Sequence, residues 1–128
     1  MNGLIDTHNF IWSDLNPDLL SPTVRDFIED GDNQLFLSIA SVWEMQIKVQ
    51  NGKLTLQYPL PEMIRIQQET NGIRLLPISV AHIYDLEKLP LHHRDPFDRI
   101  IIAQARVENL VVLSADAVFS QYPVPLLR

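Results

Sequence analysis

At 128 residues the chain is sized for a single domain spanning 1–128, since domains most often run to about 100 to 150 residues. A composition of 46% hydrophobic and 20% charged residues excludes a disordered or fibrous protein, and the absence of cysteine excludes disulfides and thiolate metal sites and fits a reducing cytoplasm. The net charge of −6 speaks against non-specific nucleic-acid binding, which rests on Lys and Arg neutralising phosphates, unless the acids gather at one site where a divalent ion inverts the local field.

Gly3 to Ile5 is apolar on both sides and ends at Asp6, the pattern of a buried parallel strand that delivers a polar residue to its carboxyl end. Ser21, Pro22 and Thr23 open a helix, with Ser as N-cap and Pro first, and Gly31 closes it. Leu35 to Leu37 reads as the second strand. From Ser41 to Gln50, Val42, Met45 and Val49 recur at helical spacing and Trp43 pairs with Ile47 at i,i+4, which predicts a largely buried helix that carries Glu44 and ends at Gly52. In residues 53–72, Tyr58, Pro59 and Pro61 precede EMIRIQQETNG, so a loop and then a helix are expected outside the main sheet, as a lid or a dimer surface. Arg74 to Ile78 reads as the third strand, and Ser79 caps a helix running to about Leu89. LHHRD leads into a helix from about Pro96 to Glu108, followed by a fourth strand, Leu110 to Leu113, and a fifth, Val124 to Leu127. Short apolar strands alternating with helices predict an α/β fold with a parallel sheet of about five strands and helices on both faces. No apolar run reaches the roughly 20 residues that cross a bilayer, so no membrane contact and a cytoplasmic location are expected.

In open sheets of this kind ligands bind beyond the carboxyl ends of the strands, where strand order reverses. Asp6 follows strand one and Asp116 follows strand four, so topology brings them to the same edge, and Asp98 and Glu44 are within reach of it. Acids converging there repel unless a cation or a proton intervenes. An oxygen-only set suits Mg²⁺ or Mn²⁺ and, with it, hydrolysis of phosphodiesters. Each acid also has a plainer role open to it. Asp6 can cap the helix that follows strand one, Asp116 can cap the short turn after it, Glu44 can pair with Lys48, and Asp95 fits the N-cap of a helix whose first residue is Pro96. His8, His82, His92 and His93 lack zinc-ligand spacing and read as structural or surface residues. His92, His93, Arg94 and Arg99 are alternatively placed to meet phosphate. Trp12 and Trp43 read as core.

The segments IDTHNFIW, SIASVWEMQIKVQNGKL, LPLHHRDPFDRIIIAQA and VLSADAVFSQY, in this order from Gly3 to Tyr122, resemble the successive motifs of PIN domains, specifically the VapC-like toxins of bacterial type II toxin–antitoxin pairs. The resemblance implies a three-layer PIN-like fold and a Mg²⁺- or Mn²⁺-dependent endoribonuclease. It also implies a homodimer held inactive by a small antitoxin, which is expected to insert a basic residue among the acids. By position it implies catalytic roles for Asp6, Glu44, Asp98 and Asp116, with Asp6, Asp98 and Asp116 on the metal. Asp95 is an extra acid of the DPFDR form, Arg99 an auxiliary candidate, and Ser114, where many relatives carry Thr, keeps a hydroxyl able to orient Asp116 or a water. An inactive PIN-like interaction module is the alternative. A signalling receiver domain fits poorly, because Asp6 lacks an acidic neighbour, Ser79 follows Ile78 where an acceptor Asp belongs, and no Lys follows Lys88. A phosphatase of the haloacid dehalogenase type needs a second Asp where His8 stands.

Overall fold

Each of the strands finds a parallel neighbour in one five-stranded sheet of order β3-β2-β1-β4-β5, in a computed structural model that describes all 128 residues. The strands are β1 (Asn2–Ile5), β2 (Gln34–Ser38), β3 (Arg74–Leu76), β4 (Val111–Leu113) and β5 (Leu126–Leu127). The helices are α1 (Thr7–Leu15), α2 (Pro22–Glu29), α3 (Ile39–Gln50), α4 (Leu60–Asn71), α5 (Val80–Asp85) and α6 (Pro96–Glu108). The order runs outward from β1 to β3 and then returns to β4 on the other side of β1, so the reversal lies between β1 and β4. A receiver domain has the order 2-1-3-4-5, which this sheet does not.

Alternation along the strands divides the core into two layers. Ile5, Leu35, Leu37, Val111 and Leu113 face α1, α2 and α4, where Phe10, Val24, Phe27 and Met63 complete the packing. Leu4 and Val112 face the other way, onto Ile101, Ile102 and Ala105 of α6. The three-layer α/β arrangement expected from the sequence is therefore present. Gly3 sits on the first face against the Phe27 ring, which leaves no room for a larger residue at that point of β1.

Several boundaries and environments differ from the sequence reading. Strand β3 stops at Leu76 rather than Ile78, because Pro77 supplies no N–H to a ladder; the buried Gln104 of α6 donates instead to the Leu76 and Pro77 carbonyls, at 3.5 and 3.3 Å. The helix after Ser79 loses its α form at Asp85 and tightens into a 3₁₀ turn at Leu86–Lys88. Residues expected as a lid or dimer surface form α4, whose Leu60, Met63 and Ile64 belong to the core, so its inner side is a layer of the fold. Trp43, expected in the core, is 62% exposed, and Ile47 and Val49 are exposed beside it. Helix α3 buries Ala40, Ser41, Glu44 and Met45 instead.

Candidate metal centre

Strand β1 ends on a buried carboxylate. Asp6 is 3% exposed, its N–H donates to the Leu113 carbonyl of β4 at 3.0 Å, and its side chain is fixed from both oxygens. Oδ1 accepts from the Asn9 N–H at 2.8 Å, which makes Asp6 the N-cap of α1, and Oδ2 accepts from the Ser114 hydroxyl. Burial raises the Asp6 carboxyl above the ordinary range; Ser114, Asn9 and His8 pull it back, and the charge of Asp116 raises it again. Ser114 follows β4 and serves both acids: its Oγ donates to Asp6 and accepts from the Asp116 N–H at 3.0 Å. Asp116 is exposed and caps the 3₁₀ turn at Ala117–Gln121 through the Val118 N–H. Asp6, His8, Trp12, Ala115 and Asp116 line a cleft of about 250 Å³ at the β1/β4 reversal. Larger hollows lie at the amino ends of the strands, around Asp85 and Arg106 and around Gly31 and Arg74, away from these acids.

The other acids come from helices. Asp95 caps α6, its Oδ1 accepting from the Phe97 and Asp98 N–H groups at 2.9 and 3.3 Å, the geometry expected for a Pro at the first helical position. Asp98, free of that duty, is pushed up to about 6, first by burial and then by the charge of Asp95; the hydrogen bond to His93 opposes this, and the Glu44 charge adds to it. Glu44 is 7% exposed. Its Oε2 meets Lys48 Nζ at 3.1 Å, the helix pair anticipated from the i,i+4 spacing, while Oε1 is buried with no donor. The acids thus fall into two sets, Asp6 with Asp116 and Asp98 with Asp95 and Glu44, the charges of each set raising Asp6 or Asp98 within it.

Carboxylate and hydroxyl oxygens are the donors a hard divalent ion prefers. The orphaned Glu44 Oε1 and the raised Asp6 and Asp98 carboxyls are each relieved by positive charge nearby. No three His, Cys, Asp or Glu side chains close on one point tightly enough to hold an ion unaided.

Sequence reasoning missed the connections of the histidines and of Arg99. His93 lies between Asp98 and Tyr122, with Nε2 3.3 Å from Asp98 Oδ2 and Nδ1 2.6 Å from Tyr122 Oη. Arg99 donates to the Pro90 carbonyl at 2.8 Å, to Tyr122 Oη at 3.3 Å and to the Leu86 carbonyl at 3.4 Å. His82 is buried, its Nδ1 accepting from the Ser79 N–H at the start of α5.

Several solved structures share this fold. VapBC2 from Rickettsia felis, bound to a DNA fragment from its promoter, superposes with a TM-score of 0.77 at 17% identity, over 99% of this chain and 98% of that one. DNA-bound VapBC from Salmonella typhimurium gives 0.69 at 14% identity, over 99% and 97%, and FitAcB from Neisseria gonorrhoeae 0.63 at 22% identity, over 100% and 97%. Among curated protein sequences none matches. No helix is long and apolar enough to cross a membrane. The sequence model of the PIN domain, a family made up in general of nucleases, matches residues 4–125. With nearly the whole chain matched and the acids at the β1/β4 reversal, this protein belongs to the PIN domain family.

Proposed function

We propose that the chain is a Mg²⁺- or Mn²⁺-dependent endoribonuclease acting as the toxin of a toxin–antitoxin pair. The observation that carries this is the buried Asp6, tied through Ser114 to Asp116 at the strand-order reversal of a PIN domain. In this reading Asp6, Asp98 and Asp116 hold the ion, and Glu44 Oε1 offers a further acceptor at the site. Bound there, the ion supplies Lewis acidity and an activated water for attack on a phosphodiester.

The chain's own groups prepare that chemistry. The Asn9 N–H and the Ser114 hydroxyl hold Asp6 in one orientation. Asp95 caps the start of α6, and the Asp98 carboxylate takes no part in that cap. Lys48 neutralises one oxygen of Glu44 and leaves the other. The excess of acid also accounts for a protein inhibitor: an Arg or Lys of an antitoxin placed among these carboxylates substitutes for the cation by charge-assisted hydrogen bonds. Solved neighbours that are VapBC and FitAcB assemblies support such a partner. Exposed Val80, Ile83 and Tyr84 on α5 and Ile39, Trp43 and Ile47 on α3 supply apolar surface for the antitoxin and for a second copy.

The test is cleavage of a single-stranded RNA panel by purified protein with Mn²⁺ or Mg²⁺ and with excess EDTA, alongside Asp6→Asn prepared identically. Cleavage that needs the ion and disappears in Asp6→Asn is expected. Equal cleavage in EDTA, or by Asp6→Asn, refutes the assignment.

A further inference from the structure

The loop between α5 and α6 carries the histidines that sequence reasoning set aside, and one of them is built into the site. His93 reaches Asp98 through Nε2 and Tyr122 through Nδ1. Tyr122 is 4% exposed, and its hydroxyl also meets Arg99 Nη1 at 3.3 Å.

Donor counting assigns the direction of this chain. Arg99 only donates, so Tyr122 Oη accepts from it and has one proton to give. The nearest acceptor for that proton is His93 Nδ1, at 2.6 Å. An Nδ1 that accepts leaves the neutral imidazole protonated at Nε2, which then donates to Asp98 Oδ2. The other end is equally fixed. The Arg99 guanidinium binds the Pro90 and Leu86 carbonyls, so the side chain that holds Tyr122 also holds the loop carrying His93 against α6. The Tyr122 ring packs against both histidine rings, 5.0 Å from His92 and 5.4 Å from His93.

We propose that His93 is a positioning residue for Asp98, donating from Nε2 to aim its carboxylate, with Tyr122 and Arg99 fixing the imidazole tautomer. This rests on the nuclease reading given above. Asp98 caps no helix, and His93 is the one hydrogen-bond donor its side chain has. Without His93, the carboxylate is free to rotate about its side-chain bonds. Removing an outer partner of this sort from a metal-binding group typically costs about 10- to 100-fold in activity or metal affinity.

The experiment compares wild type, His93→Ala, His93→Gln, Tyr122→Phe and Asp98→Asn in Mn²⁺-dependent RNA cleavage. Long-range ¹H–¹⁵N spectra of the imidazoles are recorded on the metal-free wild type and on Tyr122→Phe. We expect His93→Ala to lower kcat by about tenfold or more with KM for RNA nearly unchanged. His93→Gln, whose amide N–H stands near the place of Nε2–H, should recover most of that loss. The wild-type spectrum should show His93 as the Nε2–H tautomer, and Tyr122→Phe should show a mixture. Wild-type kcat in His93→Ala, beside an inactive Asp98→Asn, overturns the proposal alone. So does a His93→Gln no better than His93→Ala, or an Nδ1–H tautomer in the wild type. An Asp98→Asn as active as wild type removes Asp98 from the site and overturns this proposal, whereas the nuclease reading, carried by Asp6, falls only if cleavage persists in EDTA or in Asp6→Asn.

Discussion

The Ser114 hydroxyl donates to the Asp6 carboxylate across 108 positions of sequence, joining the end of β4 to the end of β1 where strand order reverses. The same oxygen accepts the Asp116 N–H, so one side chain sets two acids at once. Ser114→Ala should therefore lower RNA cleavage by about 10- to 100-fold, the usual cost of losing an outer partner of a metal ligand. A buried acceptor without its donor also costs about 1 to 3 kcal/mol of stability. Ser114→Thr keeps the hydroxyl and should retain activity. Cleavage rates of both variants at saturating Mn²⁺ check this, and an Ala variant as fast as wild type contradicts it.

Asp95 and Asp98, one helical turn apart, are separated by function in the geometry. Asp95 Oδ1 accepts from two N–H groups at the start of α6, whereas Asp98 accepts from none of them. Asp98→Asn should abolish cleavage while leaving the melting temperature at or above that of wild type. Asp95→Asn preserves a good cap and should keep much of the activity, and Asp95→Ala should lose about 1 kcal/mol of stability. Folded but inactive Asp95→Asn beside active Asp98→Asn would reverse the two roles.

The raised carboxyls make stability depend on pH in a direction opposite to that of salt-bridged acids. Asp98, at about 6 against an ordinary 3.8, keeps its proton in the folded chain to higher pH than in the unfolded one, and Asp6 is displaced the same way. Their stabilising contribution is complete below the ordinary carboxylate range and is lost as pH rises toward and through 6. The Asp98 displacement sets a ceiling of about 3 kcal/mol, and its partial exposure brings the expected effect nearer to about 1 to 2 kcal/mol. Metal-free wild type should thus lose stability relative to Asp98→Asn between pH 4.5 and 7 in urea titrations run in EDTA. Parallel pH profiles for the two proteins would rule this out.

The sheet, its layers and the reach of Asp6 and Asp116 were legible because strand alternation and strand ends are local patterns with fixed spatial meaning. Asp95 was legible as a cap because Pro96 marks the first turn. The orientation of α3 was not. Its apolar residues suggested that Trp43 and Ile47 face inward, yet the helix turns Ser41 and Glu44 inward and leaves Trp43 outside, its ring edge-on to Phe97 at 5.3 Å. Polar residues buried for a site invert the pattern that hydrophobic spacing assumes. The His93 to Tyr122 contact spans 29 positions and depends on how the loop folds over α6, so spacing carried no trace of it. Arg99 was read by its charge, whereas the carbonyls of Pro90 and Leu86 decide where it points.

Gly3 gives a test of the packing that carries Asp6. A Cβ built there lies 2.8 Å from Cε1 and Cζ of Phe27, closer than real contacts allow. The Phe27 ring is 6% exposed and belongs to the core between β1 and α2, so it has little space to retreat. Gly3→Ala should cost about 1 to 3 kcal/mol, the range for overpacking a filled core, even though alanine suits a strand better than glycine does. In a domain of this size that is a fall of several degrees in melting temperature, at roughly 2 to 8 °C for each kcal/mol. Phe27→Leu alone opens space and also destabilises, but the two substitutions together should cost less than the sum of their separate effects, because each relieves the other. Thermal melts of the four proteins complete the cycle. Strict additivity, or a Gly3→Ala protein that melts with wild type, would mean that the β1 and α2 contact is looser than the 2.8 Å approach implies.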